Sequence, residues 1–360
     1  MASADDNRKV GFSTLIGLQR LVGLYGARVF DPEMASTILI MDEMRRMDEK
    51  ENDSGAQKTE QKEVQKEVQK EENLKSKKGD FPTSVDTIVF DFDGTLTDTW
   101  KGAKPFIAGY KEDLKAILGE YRNINHDFEH LWNRLGNDLF RYAKKADWIY
   151  EGNAVSSALG DPYLECNAIA SAFFNWLSLF PEEVERSAVL QKLYTDNYPK
   201  TITVLREDAA QSLELAAHLN VCIATNSDTA RVREKLALLN HEEQTHEGAQ
   251  MDYSTLPLFG NAQKYKIDKE WQVVPEHLEA EDMHRPVLLR RRSYFEVLEK
   301  IRSTCSTEFS RMFVIGDNYE LDLALPQALG MAVGYIETNR RMAYERKAVE
   351  RYERGYVMEM

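Results

Sequence analysis

The chain has 360 residues and is acidic, with 46 lysines and arginines against 60 aspartates and glutamates and a net charge of -14. That balance repels nucleic acid and anionic membranes unless a local basic patch overrides it, so no nucleic-acid partner is expected. Three scattered cysteines, Cys166, Cys222 and Cys305, argue against a disulfide framework and have no metal-ligand spacing, and no apolar run approaches the roughly 18 residues of a membrane span.

Residues 1–50 read as an N-terminal helical arm, with Leu15, Leu18, Leu21, Val22 and Leu24 near helical spacing. The cysteine usage fits a reducing, cytoplasmic compartment. The arginine-bearing apolar stretch from Val10 to Phe30 leaves mitochondrial targeting as the alternative, which Asp5 and Asp6 weaken. Residues 51–82 change character: "QKEVQKEVQKEE" is a charged four-residue repeat, expected as a solvated linker.

From Thr87 the pattern becomes that of a strand buried on both faces, and the expected core spans residues 83–100 and 207–338. Between them, residues 101–206 read as an inserted helical domain. Its stripes are Phe106, Tyr110, Leu114, Ile117 and Leu118; Phe128, Leu131, Leu135 and Leu139; and Ala170, Phe173, Phe174 and Leu177. After the insertion come a helix in "EDAAQSLELAAHL", a strand in "VCIATN", a polar irregular stretch over 241–283 and a helix from about Ser293. The strand "MFVIGD", a helix to Leu329 and the strand "AVGYIE" follow, and residues 339–360 read as a basic C-terminal helix. Strands alternating with helices predict an α/β fold, a Rossmann-like three-layer parallel sheet with the helical domain inserted after its first strand.

Three strand ends carry the chemistry. In "IVFDFDGTLTDT", Asp91 and Asp93 stand two apart, a spacing that turns both carboxylates toward one cavity beyond the strand's carboxyl end. Gly94 permits the sharp exit and Thr95 offers a hydroxyl. The alternative for this stretch alone is a turn whose aspartates cap backbone amides, while an EF-hand is excluded by the position of the glycine. A second strand ends in Thr225, Asn226 and Ser227, which suit a phosphate or carboxylate oxygen. A third ends in Gly316 and Asp317, with Asp322 about one turn further. Four clustered carboxylates repel one another, and an oxygen-only set of this kind selects magnesium over zinc.

These motifs resemble the haloacid dehalogenase (HAD) superfamily of aspartate-nucleophile hydrolases. "DFDGTLTDT" is similar to its first motif, Thr225 to its second and "GDNYELD" to its fourth, and the insertion looks like the family's type 1 helical cap. The resemblance implies a magnesium-dependent phosphohydrolase acting on a small phosphorylated metabolite. Asp91 would form an aspartyl-phosphate, Asp93 would serve as acid and base, and Thr225 would bond a phosphoryl oxygen. Gly94, Thr95 and Asn226 would lie against the substrate. Asp91, Asp93 through its carbonyl, Asp317 and Asp322 would hold the metal. Asp93 favours a phosphatase over a dehalogenase, because displacement of halide needs no proton donor. The family's third motif is a lysine. Arg291, in "RPVLLRRRSYFEVLEKI", aligns best with it and is assigned to the site, with Lys264 or Lys266 of "NAQKYKID" as the other source of positive charge.

Weaker signals are the His126 and His130 pair as metal ligands, Trp100 as a pocket or hinge residue, and the basic run Arg340, Arg341, Arg346, Lys347, Arg351 and Arg354, expected to pair with the acidic body. The competing functions are a phosphomutase or other phosphoryl transferase on the same core, and a degenerate scaffold that binds a partner.

Overall fold

A computed structural model describes residues 84–121, 127–141, 146–243, 252–338 and 342–358. The expectations for residues 1–82, for His126 and for Arg340 and Arg341 lie outside these residues. Among the described residues, no helix is long and apolar enough to cross a membrane.

The first strand, β1 (Thr87–Phe90), leads into a short helix α1 (Thr99–Gly102) and then α2 (Lys104–Tyr121) and α3 (Phe128–Arg141). A hairpin follows, β2 (Asp147–Tyr150) and β3 (Asn153–Ser157), then α4 (Pro162–Trp176) and α5 (Glu183–Asn197). The chain returns through α6 (Ala209–Ala216), β4 (Asn220–Ala224), α7 (Thr229–Glu243) and β5 (Leu258–Phe259). A small ladder of β6 (His277–Leu278) and β7 (Val287–Leu288) precedes α8 (Arg292–Thr304) and β8 (Met312–Gly316). The remaining elements are α9 (Ala324–Ala328), β9 (Ala332–Ile336), α10 (Ala343–Arg351) and β10 (Gly355–Met358).

Six strands form one parallel sheet in the order β10-β9-β8-β1-β4-β5. The sheet is buried on both sides, and its side chains alternate as a pleat requires. Ile88, Phe90, Val221, Ile223, Phe313 and Ile315 meet α6 and α7 on one face, through residues such as Leu213 and Leu236. Val89, Cys222, Val314, Val333 and Tyr335 meet α8, α9 and α10 on the other, through residues such as Leu298 and Leu325. This is the predicted three-layer α/β core. β1 lies at its centre between β4 and β8, so the three strand ends singled out in the sequence stand side by side.

The inserted segment has its own apolar centre. Phe106, Tyr110, Leu114 and Leu118 of α2 face Phe128 and Leu131 of α3, Phe173 and Phe174 of α4, and Leu193 of α5. Asp161 caps α4 by accepting from the amides of Tyr163 and Leu164, with Pro162 in the first turn. The two connections to the core run side by side. Asp98 N donates to Val204 O at 2.8 Å, Arg206 N to Leu96 O at 3.1 Å, and Ile202 N to Gly102 O at 3.1 Å.

Two expectations are corrected. The insertion is not wholly helical: β2 and β3 pair antiparallel across Glu151 and Gly152, both at positive φ, the geometry of a tight two-residue hairpin turn. The C-terminal segment is not a single helix, because α10 stops and β10 adds a sixth strand beside β9. Three basic side chains of this segment find acidic partners, Arg346 with Glu337 and Glu350, Lys347 with Asp282, and Arg351 with Glu281, whereas Arg354 donates to the carbonyls of Gly330 and Ser310. Ending the chain after Arg354 removes β10 and the contact of Tyr356 with Phe313. The expected cost is about 2 kcal/mol, a fall in Tm of about 5 °C in a calorimetric melt.

Candidate active site

Asp91 follows β1 directly, and its amide donates to Ile315 O on β8 at 2.8 Å, which fixes the carboxylate at the centre of the sheet's carboxyl edge. Its Oδ2 accepts from Thr95 Oγ1 at 3.2 Å, and its Oδ1 accepts from Lys264 Nζ at 2.7 Å. The same ammonium donates to Asp322 Oδ1 at 2.8 Å, and all three groups are buried. Carboxylate oxygens of Asp91, Asp317 and Asp322 lie within 4.8 Å of one another. Two carboxylates therefore share one ammonium, with a third beside them. Burial, with Asp322 and Asp317 nearby, raises the Asp91 carboxyl well above its ordinary range, and Lys264 opposes the rise. Burial alone would lower Lys264, but the charges of Asp322 and Asp91 outweigh it and hold the ammonium more firmly protonated than usual.

Two glycines make this density possible. A Cβ on Gly94, which sits at φ +89, would fall 2.1 Å from Asp317 Oδ2, so a larger residue would be strained and would expel that carboxylate. A Cβ on Gly316 would fall 2.5 Å from Asp322 Cβ. Asp322 is held in turn by the Asn318 amide, which donates to Oδ2 at 3.1 Å.

Asp93 belongs to a different set of contacts. Its Oδ2 accepts from Ser227 Oγ at 2.5 Å, and its Oδ1 pairs with Lys235 Nζ at 3.4 Å. Thr225 is buried at the end of β4, where its hydroxyl accepts from the Ser227 amide at 3.1 Å. The Oδ1 of Asn226 accepts from the Lys264 amide at 2.7 Å, so this side chain brackets the lysine loop. Thr95 spends its hydroxyl on Asp91, and the Gly94 amide donates to Thr97 Oγ1 at 3.2 Å. His130 is exposed, and its suggested partner His126 lies outside the described residues. Trp100 lines a cavity beside the first loop and donates its indole N–H to Gly160 O at 3.2 Å.

The assignment of Arg291 is corrected. Its fully buried guanidinium donates to three carbonyls, Leu288 O at 3.0 Å, Lys264 O at 2.5 Å and Val155 O at 2.8 Å. Burial pushes it down to about 10. Arg291 is a brace beneath the loop that carries Lys264, and Lys264 itself stands beside the aspartates. That loop is laced to the end of β4: Thr225 N donates to Phe259 O at 3.0 Å, Ala262 N to Thr225 O at 2.9 Å and Asn261 N to Ser227 O at 2.9 Å. Lys235, Arg285 and Glu320 were not visible as site residues in the sequence. Lys235 lies on a helix flank with no pattern around it, and Glu320 looks like an ordinary residue inside "GDNYELD". A cavity of about 670 Å³ adjoins the first loop at Gly94 and Thr97 and runs past Trp100, Lys104 and Trp132 to Glu337. The carboxylate cluster does not line it.

The donor set fits a hard divalent cation, since three buried carboxylates bring their oxygens together and offer only oxygen. With this geometry established, the chain is assigned to a family: it belongs to the haloacid dehalogenase-like hydrolases, whose model matches residues 85–330, more than half of its length. Comparison with curated protein sequences gives no match. Solved structures are similar at low identity. A predicted phosphoglycolate phosphatase from Haemophilus somnus is 13% identical, with 77% of this chain and 95% of that one covered and a TM-score of 0.41. The HAD-hydrolase YfnB from Bacillus subtilis, bound to magnesium, is 15% identical, with 70% and 88% covered and a TM-score of 0.38. An L-2-haloacid dehalogenase from Xanthobacter autotrophicus is 15% identical, with 74% and 82% covered and a TM-score of 0.30.

Replacing Lys264 by Met is expected to cut turnover by at least about a hundredfold. Arg291→Met should instead cost about 3 kcal/mol of stability by leaving buried carbonyls unpaired. Parallel melting and rate measurements separate the two roles. A pH dependence follows from Asp91. In the folded chain it keeps a proton that the unfolded chain has already released above pH ~4, so folding binds a proton and stability falls as pH rises through the raised value. In chelator, Tm should therefore fall as pH rises from ~4 to the raised value and level off beyond it. The fall should be smaller in Asp91→Asn and in the parent supplied with magnesium.

Proposed function

We propose that this hydrolase is a magnesium-dependent phosphohydrolase that acts on a small phosphorylated metabolite through an aspartyl-phosphate on Asp91. One observation carries the reading: a carboxylate held by Lys264 and Thr95 beside Asp317 and Asp322, with a second carboxylate, Asp93, two residues on. A dehalogenase has no use for that second group as a proton donor.

In this reading an Asp91 oxygen attacks phosphorus while Asp93 protonates the departing oxygen. Asp93 then takes a proton from water as the water attacks phosphorus, which releases phosphate and restores Asp91. Ser227 and Lys235 aim the Asp93 carboxylate for both steps. Lys264 and the Thr225 hydroxyl would meet phosphoryl oxygens, and Lys264 would offset part of the charge that builds on them. Asp91, Asp317, Asp322 and the Asp93 carbonyl would hold magnesium, which when bound supplies the remaining positive charge between two anions. The inserted helices would act as the cap that closes over the substrate.

Hydrolysis of an aryl phosphate with and without magnesium tests this. Asp91→Asn is expected to lose at least about a thousandfold in kcat, and Asp93→Asn about a hundredfold or more. Equal turnover by Asp91→Asn and the parent would overturn the mechanism.

A further inference from the structure

The β2–β3 hairpin lies in sequence between α3 and α4 of the inserted helices, yet its bonds go to the core. Three successive residues of β3 are each held by a core residue beside the site. Arg291 donates to Val155 O at 2.8 Å, Asn318 Nδ2 to Ser156 Oγ at 3.1 Å, and the Ser157 amide to Glu320 Oε1 at 3.0 Å. On β2, Asp147 pairs with Arg285 Nε at 3.0 Å and with His284 Nε2 at 2.7 Å. The rings of Trp148 and Tyr150 lie 5.2 and 4.8 Å from Tyr265, the residue after Lys264.

Glu320 is the hub of these contacts. It is fully buried and accepts from Arg285 Nη1 at 2.7 Å and Nη2 at 3.1 Å, from Tyr344 Oη at 2.8 Å and from the Ser157 amide. It sits between Asp317 and Asp322 in the chain. Arg285 thus spans the hairpin on one side and the loop of the metal-side aspartates on the other, with a planar fork that a lysine cannot copy.

We infer that the hairpin is a positioning element of the catalytic core, encoded within the insertion: Arg285 is the positioning residue through which it holds the Asp317–Asp322 loop, while Arg291 and Tyr265 tie it to the Lys264 loop. It is also a third attachment of the insertion, beyond the paired connections at Asp98 with Val204 and Arg206 with Leu96. Any closure over the substrate therefore bends the helices about a fixed hairpin and does not swing the whole insertion on its two connections.

The catalytic part of this inference rests on the phosphohydrolase reading, while the attachment does not, so the test has two arms. Arg285→Met would strand the buried Glu320 carboxylate and risks misfolding. Asp147→Ala loosens the hairpin and leaves Arg285 paired with Glu320, and Asp147→Glu is the conservative rescue. Amide hydrogen exchange in the parent should show residues 153–157 protected like β1 and β8. In Asp147→Ala their exchange should rise about tenfold, and Asp147→Glu should restore most of the protection. In the same variant kcat on an aryl phosphate should fall about tenfold and the magnesium needed for half-maximal rate should rise, with KM changed less than about twofold. Ile149→Ser, at an exposed position of the hairpin, should change none of these. Fast exchange of residues 153–157 in the parent would overturn the attachment. Faster exchange in Asp147→Ala with kcat and magnesium dependence unchanged would overturn the positioning role. A parent with no turnover on any ester would defeat the phosphohydrolase reading and, with it, the positioning role, while exchange still decides the attachment.

Discussion

The contact on which the site depends is the fork of Lys264 between Asp91 and Asp322. A carboxylate raised at the centre of a buried sheet edge is costly, and two more beside it compound the cost. One ammonium, 2.7 Å from Asp91 and 2.8 Å from Asp322, offsets part of that cost. Much of the surrounding structure follows from keeping this ammonium in place. Asn226 holds its amide, Arg291 holds its carbonyl, Tyr294 places a ring 5.2 Å from its nitrogen, and the end of β4 is laced to its loop.

The same demand explains why the core borrows from its insertion. The loop carrying Lys264 follows β5, a strand of two residues, and has little regular structure of its own. A support is needed from outside, and the β2–β3 hairpin supplies it through Tyr265, Arg291 and the Arg285–Glu320 pair. The insertion thus serves in two ways. Its helices bury their own core, and its hairpin completes the packing beneath the catalytic loops.

How far the sequence discloses this depends on how local each signal is. β1, β4 and β8 are buried on both faces, so their apolar runs are dense, and the polar residues that end them stand out. Asp91, Asp93, Thr225, Asp317 and Asp322 are legible for that reason, as is the parallel order that brings them together. Lys264 has no such frame. A strand of two residues leaves no run to read, and an arginine just before a helix looks like the better candidate until its three carbonyl partners are seen. The hairpin does carry a local sign, two short runs about Glu151 and Gly152, but it is masked by the helical stripes on either side. Glu320 and Arg285 are 35 residues apart and meet only through the fold, so no spacing predicts the pair.

The central claim is that Asp91 is the atom-bearing nucleophile of a phosphoryl-transfer cycle. Rapid acid quench of the enzyme turning over an aryl phosphate, followed by mass measurement of the peptide that contains Asp91, tests it most directly. The account predicts a peptide heavier by one phosphoryl group, absent in Asp91→Asn and more abundant where Asp93→Asn slows attack by water. Turnover with that peptide unmodified at every quench time, or with the phosphoryl group on another residue, would contradict it.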